Sequence, residues 1–93
     1  TRLSAAQTTA ATTTGTGAII TAGGLGVAKA GYFGEEVKTG VTTVGSLPAC
    51  NAGRQGARHM VTDATATTFA STVAGGGANI VPVVCNATNW IIG

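Results

Sequence analysis

"ANIVPVVCNATNWIIG", residues 78–93, decides the fold. Its two apolar runs, Ile80–Cys85 and Trp90–Ile92, are rich in β-branched residues, and turn-forming Asn-Ala-Thr-Asn separates them. The spacing predicts a hairpin, Val83–Cys85 against Trp90–Ile92. Pro82 has no N–H to give a ladder, so its strand is expected at a sheet edge or a bulge.

Upstream of the hairpin, short strands are predicted at Ala57–Thr62 and Thr67–Val73, with "DATA" and "AGGGAN" as turns. "GSLPAC", residues 45–50, is a connector, because Pro48 holds the residue before it out of the helical region. The inward-facing set is expected to be Leu47, Val61, Phe69, Val73, Val81, Val83, Trp90 and Ile92.

Residues 17–44, "GAIITAGGLGVAKAGYFGEEVKTGVTTV", carry glycine every few positions. Each glycine costs about 1 kcal/mol in a helix interior, so strands are predicted instead, near Ala18–Thr21, Val27–Phe33, Glu36–Lys38 and Val41–Val44. Residues 1–16 hold one large apolar side chain, Leu3, and cannot offset their own chain entropy. Several copies wrapped about one axis would supply the missing cover. That axis is expected to gather Ile19, Ile20, Leu25, Val27, Val41 and Val44.

Composition points the same way. Charged residues are 9% of the 93, where a lone domain carries about 25%. Small domains bury a modest fraction of their surface, so weakly polar Thr, Gly and Ala surface is expected to face other copies. A net charge of +2 from five basic and three acidic groups lacks the clustered footprint that neutralises phosphates, which argues against nucleic acid. The longest apolar runs are too short to span a bilayer, and no secretion-signal pattern is visible; no membrane insertion is expected.

"CNAGRQGARHMVTDATATTF", residues 50–69, concentrates the scarce polar chemistry. His59 and Asp63 lie four residues apart, which on a strand is about 13 Å. Asp63 is expected to open a turn by accepting from backbone N–H groups two residues on. No Gly-x-Ser-x-Gly elbow accompanies Ser46 or Ser71, so a hydrolytic triad is disfavoured and no enzyme is expected. Cys50, His59, Asp63 and Cys85 have irregular spacing for a metal, and no cofactor or metal is expected; three copies of His59 meeting on an axis are the alternative. The glycine strings lack the remaining residues of a dinucleotide or P-loop motif. Cys50 and Cys85 are either two buried small apolar side chains or one disulfide. Asn86-Ala87-Thr88 fits an N-glycosylation acceptor, and Trp90 is either the main core filler or a stacking platform for a sugar ring.

Two stretches carry a resemblance. "TGTGAIITAGGLGVAKAGYFG", residues 14–34, is similar to a segment recurrent in tail-fibre and tailspike proteins of tailed bacteriophages. Residues 45–93 resemble a small C-terminal module of such fibres, marked by Gly-x-Arg-x-x-Val-Thr-Asp-Ala, Gly-Gly-Gly-x-Asn and a closing Thr-Asn-Trp-x-Ile-Gly. Met60 stands where the pattern has an aromatic. Asn86-Ala87 stands where it has Asp-Gly, which argues against a tight primed turn.

The resemblance implies a mainly β protein: a homotrimeric, intertwined β-shaft of prism or β-helix type over residues 1–44, then a small antiparallel β tip over 45–93. It implies a place in the virion tail, after assembly in the bacterial cytoplasm, and attachment of the trimer to bacterial surface polysaccharide or lipopolysaccharide. Arg54, Arg58, His59 and Asn89 are the candidate contacts, being polar, loop-proximal and able to donate to sugar hydroxyls. The alternative is a purely architectural cap without a ligand.

Overall fold

The computed structural model describes residues 5–93; Leu3 lies outside them. The chain divides into two compact units, Thr1–Gly34 and Glu35–Gly93.

Described residues 5–34 of the first unit contain turns and bends but no strand, so the strands expected at 18–21 and 27–33 are not formed. One turn is defined by threonine chemistry: the Thr16 hydroxyl accepts from the N–H groups of Thr12 and Thr13 at 2.8 and 2.9 Å. Ile19, Ile20, Leu25, Val27, Tyr32 and Phe33 are all exposed. An isolated copy offers these glycine-spaced residues neither a ladder partner nor a core.

The second unit is a four-stranded sheet in chain order: β1 (Gly40–Thr42), β2 (Arg58–Ala64), β3 (Asn79–Cys85) and β4 (Trp90–Ile92). β1 and β2 are parallel, and the other pairs are antiparallel. The strands within 45–93 are thus antiparallel, as expected of that part, and β1, from before residue 45, makes the sheet mixed. Parallel neighbours need a crossover, and the connector over 43–57 makes it, through 3₁₀ turns at Val44–Ser46 and Ala52–Arg54. The strand predicted near Val41–Val44 forms as β1, while 36–38 stays irregular.

Alternation builds the core. Val81, Val83 and Cys85 of β3 and Trp90 and Ile92 of β4 point to one face and are buried. β2 contributes Val61 and Ala64, three residues apart, because a register shift between them inserts a residue and restores the inward direction. Val73 closes this core, with Val44, Leu47, Cys50 and Ala57 of the connector packed against it. The Cys50–Cys85 disulfide fastens the connector to β3, deciding between the two readings of these cysteines.

Three expectations are corrected. Thr67–Val73 is not a regular strand: a turn occupies 69–70 and only Thr72 bridges Ile91. Residues 70–73 still line the outer edge of β4, through Ala70 N to Ile92 O, Ile92 N to Ser71 O and Val73 N to Trp90 O. Phe69, expected inside, is 80% exposed, since the turn carries it over Gly93 instead of into the core. Pro82 sits in the central strand β3, between β2 and β4, and not at an edge.

Candidate functional site

An open cavity of about 270 Å³ lies beside the β3–β4 hairpin. Leu47, Pro48, Ala49 and Cys50 of the connector form one wall, Thr72 and Val73 another, and Thr88, Asn89 and Trp90 a third. Its lining includes no charged side chain.

Each wall is held by a definable interaction. Trp90 is buried, and its indole Nε1–H donates to the Pro48 carbonyl oxygen at 2.8 Å, so one residue serves the core and ties the connector to the hairpin. The indole also meets His59 in an edge-to-face arrangement, with ring centroids 5.4 Å apart. Asn86 Oδ1 accepts from the backbone N–H of Thr88 and of Asn89 at 3.1 and 2.8 Å, which fixes where Asn89 leaves the turn. The turn is tight after all: Asn86 N donates to Asn89 O at 3.1 Å, leaving a two-residue loop with Ala87 at φ +83°.

The four candidate contact residues do not converge. Asn89 is exposed and lines the cavity. Arg54 is exposed in its 3₁₀ turn, outside the lining. Arg58 is on the opposite sheet face, where its guanidinium donates to the Gly93 carbonyl oxygen at 2.8 Å. His59 is half-buried on the core face; its Nδ1 is buried without a partner, and its ring covers Gly40 so closely that a Cβ there would meet Nδ1 at 2.9 Å. Adjacent positions on one strand face opposite ways, and this separates Arg58 from His59.

Asp63 does accept a backbone hydrogen bond, but its partner is far off in sequence. Its Oδ1 accepts from Val44 N at 2.8 Å, pinning the start of the crossover to β2, where a local turn was expected. Among the described residues no group of three or more His, Cys, Asp and Glu is placed to hold a metal ion. No helix among them is long and apolar enough to cross a membrane.

Sequence reasoning missed Thr72, Thr88, Leu47 and Pro48 as companions of Asn89. A single clue was readable: Trp90, weighed between core and platform, occupies both places, buried by area and lining the cavity. The chain is thus defined as a small disulfide-fastened β-domain that follows a strand-free segment. No family model, curated protein or solved structure matches it.

Proposed function

We propose that this chain is the trimerisation and host-attachment module of a bacteriophage tail fibre or tailspike, carried in the virion tail and contacting bacterial surface polysaccharide or lipopolysaccharide. One observation carries the reading: every large apolar side chain named as exposed between Ile19 and Val41 lacks cover within its own chain. Threefold association supplies that cover and lets the glycine-punctuated segment form an intertwined β-prism or β-helix-like shaft. The resemblance of residues 14–34 and 45–93 to fibre modules supports the same conclusion.

Attachment is assigned to the cavity. A mostly apolar lining with Thr72, Thr88 and Asn89 as its polar residues and no charged one suits a neutral sugar unit better than an anion. Its small volume limits each site to weak binding. Three sites on one tip convert millimolar single-site affinity into useful avidity.

The test has two stages. Native mass spectrometry of the full chain should give three times the 9.0 kDa protomer; a monomer at micromolar concentration would end the trimer reading. Whole-cell and glycan-array binding of the trimer, with Asn89→Ala as the variant, should then show retention that the variant weakens at unchanged mass. The purely architectural cap is the second reading, favoured by the internal engagement of Arg58 and His59. Trimers that bind no strain of an infected host would select it.

A further inference from the structure

The second unit has two large aromatic side chains, Trp90 and Phe69, and buries only the first. Phe69 is 80% exposed, yet its backbone is held in one place. Thr68 O accepts from the Ser71 hydroxyl and the Ser71 N–H at 2.7 and 3.2 Å, and Ala70 N donates to Ile92 O at 2.7 Å, so the turn is tied on both sides of the ring. Ala70 takes φ +66° to make this turn, a left-handed conformation that alanine seldom adopts. The ring edge lies against Gly93, where a Cβ would meet Cε2 at 2.7 Å. Strained backbone that carries an apolar ring into solvent adds nothing to the core, and strain of this kind gathers at ligand sites.

Arg58 reaches the same glycine. Its Nη2 donates to Gly93 O at 2.8 Å, which steadies an exposed guanidinium and leaves most of its N–H donors open. The one ion pair among the described residues is Lys38–Glu36, so Arg58 has no carboxylate partner there. An open aromatic ring and an unneutralised cation thus both touch Gly93, which puts them within reach of a single sugar unit.

We propose that Phe69 and Arg58, joined through Gly93, form a second carbohydrate subsite, specific for an acidic sugar of the hexuronate class. The inference rests on the attachment reading above and adds a charge selection that the uncharged cavity cannot make. The apolar C–H face of a pyranose ring packs on the Phe69 ring. Its carboxylate takes the planar fork of donors that the guanidinium presents. An exposed ion pair alone is weak, so selection requires both groups to act on one sugar residue.

The experiment uses the full chain and sodium glucuronate, with the neutral methyl ester of glucuronate and acetate as the two halves of the ligand. Titration followed by NMR is expected to move the Phe69 ring and Arg58 Nε resonances, with glucuronate about fivefold tighter than either half. That preference should vanish at about 1 M salt, where the Debye length falls to about 3 Å. Phe69→Ala is expected to weaken glucuronate about fivefold at unchanged Tm. Arg58→Gln, which keeps an N–H donor for Gly93 O, is expected to erase the preference over the ester, whereas Lys38→Gln, removing an equal charge elsewhere, should leave it intact. If Arg58→Gln does not fold, the ester and salt comparisons on the wild type decide the matter. Equal affinity for glucuronate and its ester, no movement of either resonance, or glucuronate binding that survives Phe69→Ala would overturn the subsite. Whole-cell binding separates this failure from that of attachment itself: a wild type that binds cells but not glucuronate leaves attachment standing, and one that binds neither overturns both.

Discussion

The Arg58 guanidinium occupies the place of a backbone hydrogen bond that Pro82 cannot make to Gly93. The β3–β4 register runs Cys85 to Trp90, Val84 to Ile91 and Val83 to Ile92, so Pro82 comes opposite Gly93. Gly93 N donates to Pro82 O at 3.0 Å. The reciprocal bond needs a donor on Pro82 nitrogen, and proline has none. Arg58 Nη2 reaches the Gly93 carbonyl instead, at 2.8 Å. This is how a proline survives in a central strand.

Arg58→Ala is therefore expected to destabilise the domain by about 1–2 kcal/mol, the low end for a charge-assisted bond near solvent. That loss lowers Tm by about 4–8 °C per kcal/mol in a domain of this size. Pro82→Ala restores a ladder donor, so in that background the cost of Arg58→Ala should shrink towards zero. Thermal unfolding of the four proteins of the cycle checks this. Equal losses in both backgrounds would mean that the arginine acts elsewhere.

His59 stands beside it on the strand but serves the other face. Its Nδ1 is buried and unpartnered, and its ring packs on Trp90, so the side chain behaves as a core aromatic with one polar atom too many. Removing a buried unsatisfied atom while keeping an aromatic ring against Trp90 is close to neutral or stabilising. His59→Phe is expected to leave Tm unchanged or raise it, by up to about 1 kcal/mol of stability. Cell binding of that variant should equal wild type; a selective loss of binding at unchanged Tm would restore His59 as a contact.

The disulfide has the largest expected effect. It closes a sequence separation of 35 residues around a core of eight buried side chains. The chain-entropy estimate for a loop of that length is between about 3 and 4 kcal/mol. Urea unfolding of the paired Cys50→Ala, Cys85→Ala variant should show this loss, with the slope unchanged if the unfolded state is equally open. A loss below about 1 kcal/mol would show that the connector is held mainly by Trp90 on Pro48 and Asp63 on Val44.

These relationships show what the sequence made legible. The Trp90–Ile92 strand, the run into Cys85 and six of the eight expected core residues followed from β-branched alternation, which is local information. The parallel pairing of β1, the bulge after Val61 and the reach of Asp63 to Val44 depend on partners distant in sequence, and no local period encodes them. Thr67–Val73 misled for a related reason. Its Thr and Phe favour strands, but only 70–73 lies along β4 and Phe69 falls on the turn before it. The cavity gathers residues from three segments. Asn89 was accessible to reasoning because it follows a recognisable turn, whereas Thr72 and Leu47 had no such signal.

The Gly75–Gly77 run was read as a turn, and the structure shows which glycine is indispensable. A Cβ on Gly77 would overlap the Ala64 carbonyl, a backbone group that cannot swing aside, while Gly77 N donates to Asp63 O at 2.9 Å. Gly76 has φ +101° but open space around it. Gly76→Ala should cost about 1–2 kcal/mol, the left-handed penalty alone. Gly77→Ala should cost about 3 kcal/mol, the upper end of the range for overpacking, because the atom it meets is backbone and cannot give way. Comparable melting temperatures for the two variants would mean that the loop moves as a unit and the close approach is not required.

Ala87 gives the opposite kind of variant, one that should stabilise. It holds φ +83° at the first position of a two-residue hairpin loop, a region that costs an L-residue roughly 1–2 kcal/mol and glycine almost nothing. Glycine gives back part of that gain through the greater freedom of its unfolded chain, about 0.4–1 kcal/mol. The net for Ala87→Gly is a gain of about 0.5–1 kcal/mol, visible as a rise in Tm of several degrees. The Asn86 carboxamide already fixes Thr88 and Asn89, so the hairpin register and the cavity should be unchanged. Amide exchange at Asn86 and Val84 provides the check, because both belong to the ladder that the turn closes. Slower exchange with a higher Tm is the expected result; faster exchange would mean that the alanine methyl contributes packing worth more than the strain it causes.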